Sequence, residues 1–150
     1  MRMDDNDFYL RVAHALSGCQ LVEQELKLYI AEALELVKKC LAGKLSFSMS
    51  SEDYENAPLE HLIKTFGKLS NNPPLVAALR KFKDERNFLS HQSIVQNLTP
   101  DGELNYRPAD FEARLAAIAP EAERLRTAIH EEARKFLAHL YFEDLTANDP

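Results

Sequence analysis

The run Arg86-Asn87-Phe88-Leu89-Ser90-His91 holds the side chains best suited to chemistry. An imidazole titrates at about 6.5, so His91 can take or give a proton at neutral pH, while a guanidinium stays charged and grips phosphate through a bidentate fork. RNA cleavage without a metal needs a base for the 2′-OH, an acid for the leaving 5′-oxygen and a cation for charge growing on the phosphoryl oxygens, which these two residue types supply. Geometry constrains them. On an unbroken helix Asn87 and His91 are i,i+4 neighbours, but Arg86 and His91 point about 140° apart. Three arrangements bring both to one phosphate: the helix breaks near Ser90, Arg86 reaches round on its long stem, or a two-fold axis sets a second copy alongside. In the third, two imidazoles provide both base and acid.

Charge supports looking here. The chain carries a formal net charge of −6 and a pI near 5.4, which argues against indiscriminate coating of nucleic acid. Its sign is uneven, however. From Glu60 to His91, Lys64, Lys68, Arg80, Lys81, Lys83 and Arg86 face three acidic residues, whereas the stretch from Gln92 onward is strongly acidic. Lys64, Lys68, Arg80 and Lys83 are the candidates to steer an RNA backbone. With nine Arg, five His and eight Asn among 150 residues, an Arg-Asn followed by a His at this spacing is expected about 0.016 times by chance.

The Arg86, Asn87 and His91 pattern resembles that of the HEPN superfamily, helical bundles marked by Arg, four to six residues, then His, often with a polar residue directly after the Arg. The resemblance spans the chain as architecture and six residues as motif. It implies an all-α fold and a metal-independent endoribonuclease, commonly a toxin or defence effector, that acts as a homodimer with facing motifs. Arg86, Asn87 and His91 would be its catalytic residues. Some members are inactive binding or regulatory modules, and some pair with an antitoxin or a nucleotidyltransferase. In one subgroup that enzyme modifies a Tyr two positions after the His; here the position is Ser93.

Other constellations are weaker. His61-Leu62-Ile63-Lys64 resembles the His-x-x-Lys of histidine phosphotransfer bundles, but Thr65 stands where those carry Gly. His14, His130 and His139 have no partner at catalytic or ligand spacing and read as bundle residues. No Cys-x-x-Cys, His-x-x-x-His or Glu-x-x-His occurs, so neither a metal nor a cofactor is expected.

The elements that must hold this motif are helical. Phe8, Val12, Ala15, Leu16, Cys19, Val22, Leu26, Tyr29, Ile30, Ala33, Leu34, Val37 and Leu41 recur at three-and-four spacing, which predicts one long helix from Asp5 to Leu41 with a stop at Gly43. A serine-rich loop should follow to Asn56. Pro58 suits the first turn of a short helix with Leu59, Leu62, Ile63, Phe66 and Leu69 inward. A third helix opens at Pro73-Pro74 and reaches His91. Pro100-Asp101-Gly102 between alternating stretches predicts a hairpin or extended loop. A fourth helix begins near Pro108 and should kink or divide at Pro120, with a frayed tail from Thr146.

Together these predict one all-α domain, an antiparallel four-helix bundle with a small insertion before the last helix. The acidic start lacks a secretory pattern, no apolar run would cross a membrane, and Cys19 and Cys40 read as reduced core residues of one helix; a cytoplasmic protein is the expectation.

Overall fold

In the computed structural model, which describes residues 5–91 and 109–141, the regular secondary structure of the described residues is all helical. Four α-helices, α1 (Asp5–Leu41), α2 (Leu59–Leu69), α3 (Pro73–His91) and α4 (Ala109–Tyr141), are joined by one 3₁₀ turn at Ser51–Tyr54, and the described residues contain no strand. The hairpin expected around Pro100 and the frayed tail lie outside the described residues.

Local chemistry sets the boundaries. α1 ends where Gly43 takes φ +77°, a conformation that costs a residue without Cβ little, and the Lys44 N–H donates back to the Leu41 carbonyl at 2.9 Å. Pro58 stands one residue ahead of α2 rather than within its first turn, its carbonyl accepting from the N–H groups of His61 and Leu62. α2 closes at Ser70, whose N–H and Oγ both donate to the Phe66 carbonyl. Asn72 opens α3: its Oδ1 accepts from the Leu75 N–H at 3.2 Å, while its Nδ2 donates to Glu132 on α4 at 2.8 Å.

The apolar stripes meet in one core. Phe8, Leu26, Ile30, Leu62, Ile63, Phe66, Leu79, Leu89, Ile118, Leu125 and Ile129 are buried, and Tyr29 stands edge-on to Phe66 and Phe136. Burial pushes the Tyr29 hydroxyl up to about 12, with Glu132 adding to the shift. Two expectations are corrected. α4 is not divided at Pro120 but runs through it as one helix: Pro120 lies on the exposed side while Leu115, Ile118, Ala122 and Leu125 lock both flanks to the core. Cys40 is exposed, whereas Cys19 is buried; three-and-four spacing from Cys19 carries the buried stripe past position 40.

Helix directions follow from which residues meet. Along α1 and α4, Phe8 pairs with Phe111, Gly18 with Ala122, Glu25 with His130, Tyr29 with Phe136 and Lys39 with Leu140, so these two helices run the same way. α3 runs against α4, through Asn72 with Glu132, Glu85 with Arg114 and Phe88 with Phe111, and against α2, through Val76 with Gly67 and Lys83 with Glu60. The arrangement thus departs from a bundle in which every neighbour is antiparallel. Residues 42–58 account for this: a connection that long carries the chain back along α1, with the Glu55 carbonyl accepting from Lys27 at 2.8 Å, so α2 sets out again in the direction of α1.

Candidate functional site

The motif lies at the C-terminal end of α3, which stays helical through His91, so the break near Ser90 that would have redirected the imidazole does not occur. His91 is the last residue of the helix, and its side chain lies outside the description. Arg86 turns towards α1, with Nη2 3.6 Å from Glu23 Oε1, and its side chain keeps 38% of its surface exposed. Its charge is felt at the buried Cys19, where burial lifts the thiol to about 11, opposed by Arg86 and reinforced by Glu23. Asn87 is exposed on a different side of α3. Within one chain, then, Arg86 is directed towards a carboxylate of α1, and Asn87 shares its face of the helix with position 91.

The four steering candidates do come together. Lys64 and Lys68 on α2 and Arg80 and Lys83 on α3 line two adjoining cavities, of about 340 and 410 Å³, that share Lys64 and Arg80. The short turn through Ser70 and Asn71 folds α2 and α3 against each other and sets these cations on facing walls. Lys83 lies 4.0 Å from Glu60, a long contact to a largely exposed carboxylate. Lys64, Lys68 and Arg80 are exposed. Val76, Arg80, Lys83 and Asn87 follow one another at i,i+4,i+7,i+11 along α3, and position 91 continues that line.

Spacing along the sequence missed three features, because each joins helices far apart in the chain. Glu23, the partner of Arg86, belongs to α1. His130, expected to stand alone, has Nδ1 3.4 Å from Glu25 Oε1, and burial, then Glu25, raises the nearby Glu32 carboxyl while His130 opposes it. Between α3 and α4, Ala78, Phe82 and Ile118 floor a cavity of about 420 Å³ rimmed by Lys81, Glu121 and the bidentate Arg114–Glu85 pair. Arg114 also lies 3.7 Å over the Phe88 ring, which fixes its guanidinium. His61 is exposed and stacked on Tyr54 with ring centroids 5.4 Å apart.

Among the described residues no three His, Cys, Asp or Glu side chains gather as metal ligands, and no helix is long and apolar enough to cross a membrane. Comparisons with family models, curated proteins and solved structures gave no match to this chain.

Proposed function

We propose that this chain is a HEPN-type, metal-independent endoribonuclease acting as a homodimer, a toxin or defence effector in the cytoplasm. The observation that carries the reading is the set of cations on the α2–α3 face, in line along α3 with Asn87 and position 91. His91 takes the proton of a 2′-OH; the 2′-oxygen bonds to phosphorus as the bond to the 5′-oxygen breaks, and the imidazolium of the second copy protonates the leaving oxygen. The products are a 2′,3′-cyclic phosphate and a 5′-OH end. Arg86 neutralises the phosphoryl oxygens and Asn87 orients the imidazole or the phosphate. With α3 unbroken and Arg86 turned to α1, the two-fold arrangement supplies what a single chain does not.

The test is digestion of single-stranded RNA in EDTA. Wild-type protein is expected to leave cyclic phosphate ends, and His91→Ala to remove cutting while circular dichroism and melting are unchanged. Cutting that persists undiminished in His91→Ala sinks the reading.

One observation favours a second reading, an inactive HEPN-like module that binds a protein or nucleotide: the contact between Arg86 and Glu23 engages the cation that catalysis needs. That reading predicts a stable complex without RNA turnover, and a nucleotidyltransferase or antitoxin is the partner to try. Phosphotransfer at His61 would show instead as acid-labile phosphate on that residue.

A further inference from the structure

The α2–α3 groove has a property that the motif does not require. Lys64, Lys68 and Arg80 have neither an ion-pair nor a hydrogen-bond partner among the described residues, and Lys83 has only its long contact with Glu60. Four cations gathered around one carboxylate, Glu60, repel one another, and in a chain of net charge −6 such a group stands out against the acidic remainder. An anion that reaches several of them at once relieves the repulsion. Because the two cavities share Lys64 and Arg80, with Lys83 on one side and Lys68 on the other, the fitting ligand is a chain of phosphates rather than a single ion. Among the described residues no aromatic ring lines either cavity, and the apolar lining is limited to Ile63, Val76 and Pro73, so these residues offer a base no stacking platform. The groove lies between two packed helices, whose axes are normally about 8–10 Å apart, too narrow for a duplex to engage both walls.

We propose that the α2–α3 groove is an exosite that holds consecutive backbone phosphates of one nucleic-acid strand, bases outward, and aligns that strand along α3 towards position 91. This deepens the ribonuclease reading and rests on it only for what happens at the far end. From Arg80 to position 91 the helix rises about 16 Å. The footprint is therefore on the order of four to six nucleotides, at the small end of single-strand sites. Glu60 lines the first cavity and Asp84 lies on the next turn of α3, so the grip is strongest at the Lys64, Lys68 and Arg80 end.

Fluorescence anisotropy with 5′-labelled oligouridylates of two to twelve nucleotides, and with a duplex of matched length, tests this on the full chain carrying His91→Ala. Affinity should rise at least about tenfold between two and six nucleotides and then level off, with the duplex weaker. Lys64→Glu with Arg80→Glu should weaken the six-nucleotide ligand at least about tenfold and reduce the log–log salt slope by about 1.4. Should that pair perturb folding, Lys64→Gln with Lys68→Gln at the same exposed positions gives the same comparison in milder form. Binding independent of length, a duplex bound as tightly as the single strand, or charge variants that bind like their parent each overturn the exosite. The two proposals fail separately. Wild-type protein that binds this way but never cuts RNA removes the nuclease and leaves the groove, whereas His91-dependent cutting unaffected by the groove variants does the reverse.

Discussion

Arg86 lies beside Glu23, and that contact bears on the catalytic role proposed for it. At 3.6 Å the contact is loose and partly solvated, so the ion pair itself is weak, but the carboxylate competes with any phosphate for the guanidinium. Glu23→Gln removes that competitor; kcat/KM for RNA cutting is expected to rise severalfold with the cleavage pattern unchanged, and a fall would assign Glu23 to holding Arg86 in place. Glu32 offers a separate test. Its Oε2 is buried without a hydrogen-bond partner among the described residues and its carboxyl is pushed up, by burial first and then by Glu25, so the ionised form costs stability at neutral pH. That cost disappears as the pH falls through the raised folded value and the group takes up a proton. Glu32→Gln should accordingly raise the melting temperature at pH 7 and lose most of that advantage at pH 4. Type and spacing along α3 made Arg86 and Asn87 legible, and the charge of one segment singled out the cations, though that Lys64 and Lys68 of α2 face Arg80 and Lys83 of α3 came only with the packing. The sequence was silent on Glu23, Glu25 and Glu85 as partners, because those contacts cross between helices and depend on packing.

At the level of elements, the helix boundaries followed from breakers that a sequence displays, such as Gly43 after α1 and Pro73-Pro74 at the start of α3, with Pro58 one residue outside the turn expected for it. What it did not display was the double use of Asn72, which caps α3 and also donates to Glu132, tying the start of α3 to α4. Asn72→Ala should cost about 1–2 kcal/mol in chemical denaturation. Burial acts to raise the Glu132 carboxyl, but the bonds from Lys135 at 2.6 Å and from Asn72 outweigh it and hold it below the usual range. A carboxyl lowered in the folded state contributes stability above its unfolded value and loses it as the pH falls through the folded one. Glu132→Gln should therefore flatten the acid limb of the stability profile. Gly18 of α1 is a close contact in the fold, since an added Cβ would lie 3.0 Å from that of Ala122 on α4. Gly18→Leu overpacks this seam and should cost about 1–3 kcal/mol. Division of α4 at Pro120 fails for a related reason: a local rule cannot register how firmly the flanking residues are held by the core.

For the molecule as a whole, periodicity gave the class, all-α with four helices, because each amphipathic stripe must find a partner. Direction was another matter. Whether α2 reverses or repeats the course of α1 depends on the path of residues 42–58, and composition does not encode a path. The parallel α1–α4 pair leaves Leu10, Leu21 and Leu28 exposed along α1, while Arg86 turns inward from α3 on the opposite side of that helix. The two-fold that the proposed nuclease requires is therefore expected near the C-terminal end of α3 and not through this outer stripe. Spin labels report that geometry directly. With Cys40→Ser removing the exposed thiol, and Cys19 buried and its thiol held protonated, a nitroxide on His91→Cys marks one point per chain. A homodimer with facing motifs predicts strong dipolar coupling, with labels less than about 20 Å apart. No coupling, or a separation beyond about 40 Å, would contradict the shared catalytic centre.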